Sequence, residues 1–270
     1  MLEGLIDTHC HLNFDTLLED LSEVLKRSQK AGVFRIVIPG TDLETSRRAI
    51  QLSQSHPSLF AAVGIHPNDA TKWSDNSFCL LRELAKHPKV VAIGETGLDY
   101  YRRKAPQHLQ KEIFQSQLEL AAELELPVIV HNRQATEDTL SVLLMWQEEL
   151  TKKKSSLALH PGVWHSFSGD FQTAMIAIQK GFYLGIGGPV TYQNALEHQN
   201  IVARLPLESL LLETDAPFLS PHPFRGKRNE PAYLEIIAKK LATLHHTTPS
   251  TVAQTTTRNA EQLFAWRTSN

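Results

Sequence analysis

The chain is poor in the residues that announce several protein classes. Its 270 residues include two cysteines, Cys10 and Cys79, and three methionines. Two cysteines cannot build a disulfide framework, so a reducing, cytoplasmic setting is expected. No apolar run nears the roughly 18 residues that span a bilayer. No cationic segment followed by an apolar stretch opens the chain, so no leader is expected. An excess of either charge is missing too: 27 Lys and Arg stand against 29 Asp and Glu, a formal net charge of −2. No global basic field draws nucleic acid or membrane, and an anionic substrate must be held by local cations or metal. Heptads and low-complexity linkers do not occur. The 41% hydrophobic content suits one globular domain over residues 1–270, expected to be a soluble monomer.

What the chain has is alternation. Glu3–Cys10 reads as a strand, followed by a helical stripe of Leu17, Leu18, Leu21, Val24 and Leu25, with Gly32 past its end. A strand ending at Gly40, a helix over Thr45–Ser53, a strand over Phe60–Pro67 and a helix over Phe78–His87 come next. Then follow a strand over Lys89–Tyr100, the longest helix over Pro106–Glu125, a strand over Leu126–Arg133 and a helix over Ala135–Leu150. Thr151–Gly162 reads as a basic surface loop. Strands over Gly162–Gly169, Gly181–Gly188 and Glu208–Leu219 alternate with helices ending near Lys180 and spanning Ala195–Arg204. Two helices close the chain, one near Pro231 and one with Thr248 as N-cap and Pro249 as first residue. These strands are short, continuous and β-branched, as when a parallel sheet is buried on both faces. Eight strand–helix units predict an α/β (β/α)8 TIM-type barrel. An open doubly wound sheet is the alternative, but no G-x-G-x-x-G follows the first strand.

The 13 histidines have a pattern of their own. In such a barrel, reactive groups gather at the C-terminal ends of the strands. Here the ends carry Asp7, His9 and His11, then His66, Glu95, His131, His165 and Asp215. His9 and His11, two apart, can enter the barrel from one strand face and bind one cation. Asp7 shares that face and can orient an imidazole from behind. By itself the His-x-His pair equally suits strand-end histidines bonded to loop carbonyls. The carboxylates at the ends of strands four and eight favour metal.

Two cations about 3.5–4 Å apart need an anionic bridge. Glu95 suits that place, because Lys89 stands at the wrong end of its strand to serve as a modified lysine. His131 and His165 complete the second cation. Asp215 touches the first cation and the attacking water, and acts as general base. Glu213 shares the strand face with Asp215; it reads equally as a supporting acid and as a buried structural one. Arg133, Arg225, Lys227 and Arg228 offer cations near the expected mouth, which suit phosphate. They suit an ordinary solvated basic loop as well. Tyr100, Tyr101 and Phe224 can stack on a base.

"IDTHCHLN", "VGIHP", "IGETGLDY", "PVIVHNRQATED", "HSFSG", "LLLETDAPFL", "RGKRNEP" and "TRNAEQLF" resemble, in order, the motif series of the TatD family of metal-dependent deoxyribonucleases. The resemblance runs from Leu5 to Phe264. It implies an amidohydrolase-type barrel that binds two divalent ions, magnesium, manganese or zinc, and cleaves phosphodiester bonds. The implied action is that of a 3′→5′ exonuclease on single-stranded DNA, with a metal-bridging water activated by Asp215. By position it assigns His9, His11, Glu95, His131, His165 and Asp215 to metal, and places His66 near the substrate. Some relatives act on mischarged aminoacyl-tRNA, so ester hydrolysis on D-aminoacyl-tRNA is the alternative. The chain departs from the family in Ser166, where cysteine is frequent, and in a long Thr151–Pro161 stretch that brings His160 close in sequence to His165.

Overall fold

The computed structural model describes residues 4–264 and Trp266. Glu3 of the expected first strand, and the ends of the expected 1–270 domain, lie outside them. Among the described residues, eight parallel strands follow one another around a single sheet in sequence order. The first half is β1 (Leu5–Asp7), α1 (Asp15–Leu18), α2 (Leu21–Lys30), β2 (Val33–Pro39), α3 (Leu43–Ser55), β3 (Leu59–Val63), α4 (Ser77–Ala85) and β4 (Val90–Asp99). The second is α5 (Gln107–Leu124), β5 (Val128–Arg133), α6 (Thr136–Lys152), β6 (Gly162–Trp164), α7 (Phe171–Gln179), β7 (Tyr183–Ile186), α8 (Leu196–Arg204) and β8 (Leu210–Leu212). Two helices, α9 (Leu234–Leu244) and α10 (Pro249–Leu263), follow. This is a single-domain (β/α)8 barrel.

The strands alternate between two apolar environments with period two. Val37, Phe60, Ile129, Val163, Tyr183 and Leu211 pack inside the barrel with one another. Their neighbours Ile36, Ile38, Leu59, Val128, Val130 and Leu210 pack outward against the helices. The inner cluster is completed by Leu263 and Phe264 at the end of α10, with Trp266 against it. The last helix thus plugs the N-terminal end of the barrel and leaves the opposite end open. Thr248 caps that helix by accepting from the Thr251 amide at 3.1 Å, as its sequence predicts.

The ring closes between β8 and β1 through irregular backbone. The Thr8 amide donates to Leu212 O at 3.0 Å, the Asp215 amide to His9 O at 2.9 Å and the His11 amide to Ala216 O at 2.7 Å. The expected strands at Glu3–Cys10 and Glu208–Leu219 are therefore only three residues long in regular form, and the one expected at Gly162–Gly169 is equally short. Beyond those residues the chain bends: Ser166 and Asp215 both have positive φ, +46° and +57°. The single helix expected around Leu17–Leu25 is two, broken at Glu19–Asp20, because Asp20 takes the N-cap position of α2 and turns its carboxylate to Arg27 and Arg228. Among the described residues, no helix is long and apolar enough to cross a membrane.

Candidate metal centre

Glu95 is the hub. It lies within β4, is 3% exposed, and its two carboxylate oxygens face different partners. Oε2 is 3.5 Å from His9 Nε2 and 3.6 Å from His11 Nε2. Oε1 is 2.8 Å from His131 Nδ1, 3.5 Å from His66 Nε2 and 3.9 Å from His165 Nε2. Burial by itself pushes this carboxyl up. The neighbouring His66 and His9 and the hydrogen bond with His131 nevertheless hold it well below the usual carboxylate range.

His9 and His11 do not stand on regular strand. They extend from β1 on the closing seam, which brings both Nε2 atoms to the same place, 3.2 Å apart. Asp215 comes from the other side of the seam. Its left-handed backbone, tolerated better by Asp than by most residues, sets Oδ1 3.8 Å from His9 Nε2 and 3.5 Å from His11 Nε2. Burial pushes the Asp215 carboxyl up, but the His11 hydrogen bond and the charges of His165 and His9 leave it below its ordinary value.

His9 Nε2, His11 Nε2 and Asp215 Oδ1 face one another at 3.2–3.8 Å, and Glu95 Oε2 lies 3.5–3.6 Å from the two imidazoles. A cation about 2.0–2.1 Å from four tetrahedral donors holds them about 3.3 Å apart. Nearly buried lone-pair donors converging this closely repel each other unless a cation or protons lie between them. The donor set therefore fits a divalent metal.

On the Glu95 Oε1 side, each imidazole has its own backing group. His165 Nδ1 is 3.0 Å from Glu213 Oε1. Burial disfavours the His165 imidazolium, yet the charge and hydrogen bond of Glu213 raise its pKa to about 10. The same Glu213 oxygen accepts from the Ser166 amide at 2.6 Å. His131 Nε2 is 3.4 Å from Asp99 Oδ2. Asp99, 1% exposed, also accepts from the Asn68 amide group and from the Tyr101 and Arg102 amides. Sequence reasoning missed Asp99, although it ends the "GETGLDY" strand, two residues from its pair partner Gly97 of His131 in register.

His66 differs from the other imidazoles. Its Nδ1 accepts from the Asn68 amide at 3.0 Å, so in the neutral ring the proton sits on Nε2. Burial and the charge of His131 lower its pKa to about 3. His66 Nε2 faces Glu95 Oε1 at 3.5 Å, and His66, Glu95 and His131 form a further group of donor atoms within 4.8 Å of one another.

Several expectations are corrected. Asp7 touches no imidazole. Its oxygens accept from the Thr214 amide at 2.9 Å, the Thr214 hydroxyl at 2.6 Å and the His9 amide at 3.3 Å, so it ties the β1–β8 seam. Burial raises it to about 7 against those hydrogen bonds. Arg228 is bound to Asp20, Glu230 and Thr16 O, which consumes its guanidinium in holding the loop after β8 against α1 and α2. Arg225 lies over Tyr192 in a separate depression of about 210 Å³, and Lys227 is exposed near Phe224. Phe224 itself stacks on Tyr233 at 4.4 Å, and the Tyr100 hydroxyl donates to Asp138.

The open end of the barrel is a cavity of about 570 Å³ containing His11, His66, Glu95, His131, His165 and Asp215. Arg133 lines it, joined by two cations the sequence reading passed over, Arg102 and Lys104. Phe14, Phe218 and Leu219 line it as well. Phe14 stacks on His11 at 4.6 Å and meets Phe218 edge-on at 6.0 Å.

A parallel barrel with nearly buried His, Glu and Asp donors converging at the C-terminal ends of its strands defines a metal-dependent hydrolase. The comparisons make the class specific. The family described as TatD related DNase matches residues 6–265, and the chain belongs to it. It is 43% identical over 260 residues to the Bacillus subtilis protein named uncharacterized metal-dependent hydrolase YabD, covering 96% of this chain and 98% of the relative. It is 35% identical over 266 residues to the Salmonella typhimurium 3'-5' ssDNA/RNA exonuclease TatD, covering 96% and 98%. Among solved structures, the TatD homolog YJJV from Escherichia coli K12 superposes with a TM-score of 0.89 at 34% identity, covering 98% of this chain and 99% of that one.

Proposed function

We propose that the protein is an exonuclease that removes nucleotides from the 3′ end of single-stranded nucleic acid, using two divalent cations. One cation is held by His9, His11, Glu95 and Asp215, and the other by Glu95, His131 and His165. The observation that carries this reading is the split of Glu95, with one oxygen toward each donor group. The nuclease names of relatives at 35–36% identity supply the bond class. When bound, such cations neutralise charge on phosphoryl oxygens and make water a nucleophile near neutral pH.

The chain's own groups do the rest. Asp215, kept ionised by its histidine neighbours, accepts the proton of the attacking water. His66 donates from Nε2 to a phosphate oxygen. Arg102, Lys104 and Arg133 hold anionic substrate at the rim. Phe14 and Phe218 fix the His11 ring and offer an apolar face to the terminal base. The whole of residues 1–270 serves this one site.

The test is product analysis by mass spectrometry. Labelled single- and double-stranded DNA, RNA and D-aminoacyl-tRNA are each incubated with enzyme loaded with magnesium, manganese or zinc. The expected result is mononucleotide release from single strands, reduced about 10²–10⁴-fold in Asp215→Asn. Release of the aminoacyl group with oligonucleotides untouched sinks the reading.

A further inference from the structure

We infer that a single-stranded polynucleotide leaves the mouth across the loop between β4 and α5, its phosphates carried by Arg102, Arg103 and Lys104. This rests on the nuclease reading and adds the path of the strand beyond the cleaved bond.

The loop Tyr100–Pro106 joins two depressions. The mouth shares Asp99 and Lys104 with a second cavity of about 540 Å³, lined also by Arg103, Pro106 and Gln107. The two depressions are thus neighbours on either side of Lys104. Four consecutive side chains there, Tyr101 to Lys104, are exposed. Among the described residues, Arg102, Arg103, Lys104 and Arg133 make no ion pair, although Lys111 nearby is paired with Asp138. In a chain of net charge −2, such a concentration of unpaired cations marks the route of a polyanion. The second depression reaches the N-terminus of α5, whose first turn has no acidic residue and no side-chain cap. That end adds favourable dipole to the cations. Tyr101, 54% exposed and stacked by the Arg133 guanidinium at 4.1 Å, offers aromatic surface for a base.

The loop is also held rigid from beneath. Gln110, 1% exposed, accepts from the Asp99 amide and donates to Asp99 O and Ala105 O. Asp99 clamps the Tyr101 and Arg102 amides. The backbone that displays the cations is therefore organised before substrate arrives, which lowers the entropy lost on binding.

Other basic stretches do not offer a route. Arg228 is committed to Asp20 and Glu230, and Arg225 lies in a depression that shares no residue with the mouth. Lys152, the last residue of α6, and Lys153 and Lys154 beyond it lie toward the closed end of the barrel.

The experiment compares the triple variant Arg102→Ala, Arg103→Ala, Lys104→Ala with wild type and with the double variant Arg225→Ala, Lys227→Ala. Metal-loaded enzyme is assayed on a 12-nucleotide and a 3-nucleotide single strand between 50 and 200 mM salt. Binding of a fluorescent 12-mer is followed by anisotropy in chelator over the same range. Each lost phosphate contact takes about 0.7 from the log–log salt slope of a single strand, so the triple variant is expected to lose about 2. Over this salt range wild-type affinity should fall about 18-fold more steeply. The preference of kcat/KM for the longer strand should drop at least about tenfold. A triple lysine version, Arg102→Lys and Arg103→Lys with Lys104 kept, should retain the slope. An unchanged slope and length preference in the alanine triple, or a slope that moves only with Arg225 and Lys227, overturns the inference. If wild type releases no nucleotide, the nuclease reading fails, and the anisotropy slope alone decides the track.

Discussion

His165 Nδ1 lies 3.0 Å from Glu213 Oε1, and the same oxygen takes the Ser166 amide at 2.6 Å. One carboxylate oxygen thus holds the turn that carries His165 and lies against its imidazole, while His165 Nε2 faces Glu95. Backing groups of this kind set the tautomer and basicity of a metal-binding histidine. Glu213→Gln should therefore weaken metal binding about 10–100-fold, read by competition with a graded series of chelators. Unaltered affinity would remove Glu213 from the site.

The same pair gives a pH signature in the metal-free protein. His165 is raised from 6.5 to about 10, so its stabilising charge is complete below pH about 6.5 and is lost as the pH climbs toward about 10. Thermal melts in chelator should show wild-type Tm falling across that window. Glu213→Gln should flatten the fall, and bound metal, which needs the deprotonated ring, should flatten it in wild type.

Gly185 tests the space behind Glu213. A Cβ there would collide with Glu213 Oε2 and stand 2.7 Å from its Cδ. Gly185→Ala must displace the carboxylate, at a cost of about 1–3 kcal/mol. The expected outcome is a lower denaturation midpoint together with weaker metal binding. Loss of only the first would mean that Glu213 moves without disturbing His165.

Arg228 should behave as a structural residue. Its guanidinium is 34% exposed and bonded to Asp20, Glu230 and Thr16 O. After allowance for solvent screening, Arg228→Ala should cost at most about 1 kcal/mol, or about 2–4 °C in Tm. KM for a short single strand should stay within about twofold. A large rise in KM with no change in melting would return Arg228 to the substrate.

The barrel, and the convergence of donor side chains at its mouth, were legible because both follow local rules. Period-two burial and continuous apolar runs mark buried strands, and Glu95, His131, His165 and Asp215 each follow such a run. What escaped depends on partners far away in the chain. Asp7 looks like a backing acid until Thr214 reaches it from the other side of the ring. Arg228 looks like a phosphate ligand until Asp20, held by the break between α1 and α2, neutralises it. Asp99 and "YYRRK" stood beside a recognised motif, but the role of the acid appears only when β5 sets His131 next to it. The short strands at the seam were overread for a similar reason. Their extended composition continues past the ladder, where pairing with β8 and β1 bends the chain.

The seam also orders events in time. In order of synthesis His9 and His11 follow β1, whereas Asp215 comes only after all eight strands. The backbone bonds that join His9 to Asp215 and His11 to Ala216 are those that shut the ring. A nascent chain therefore carries scattered histidines but no complete reactive centre until the last strand is out. Closure of the barrel and convergence of the donor cluster thus become one step.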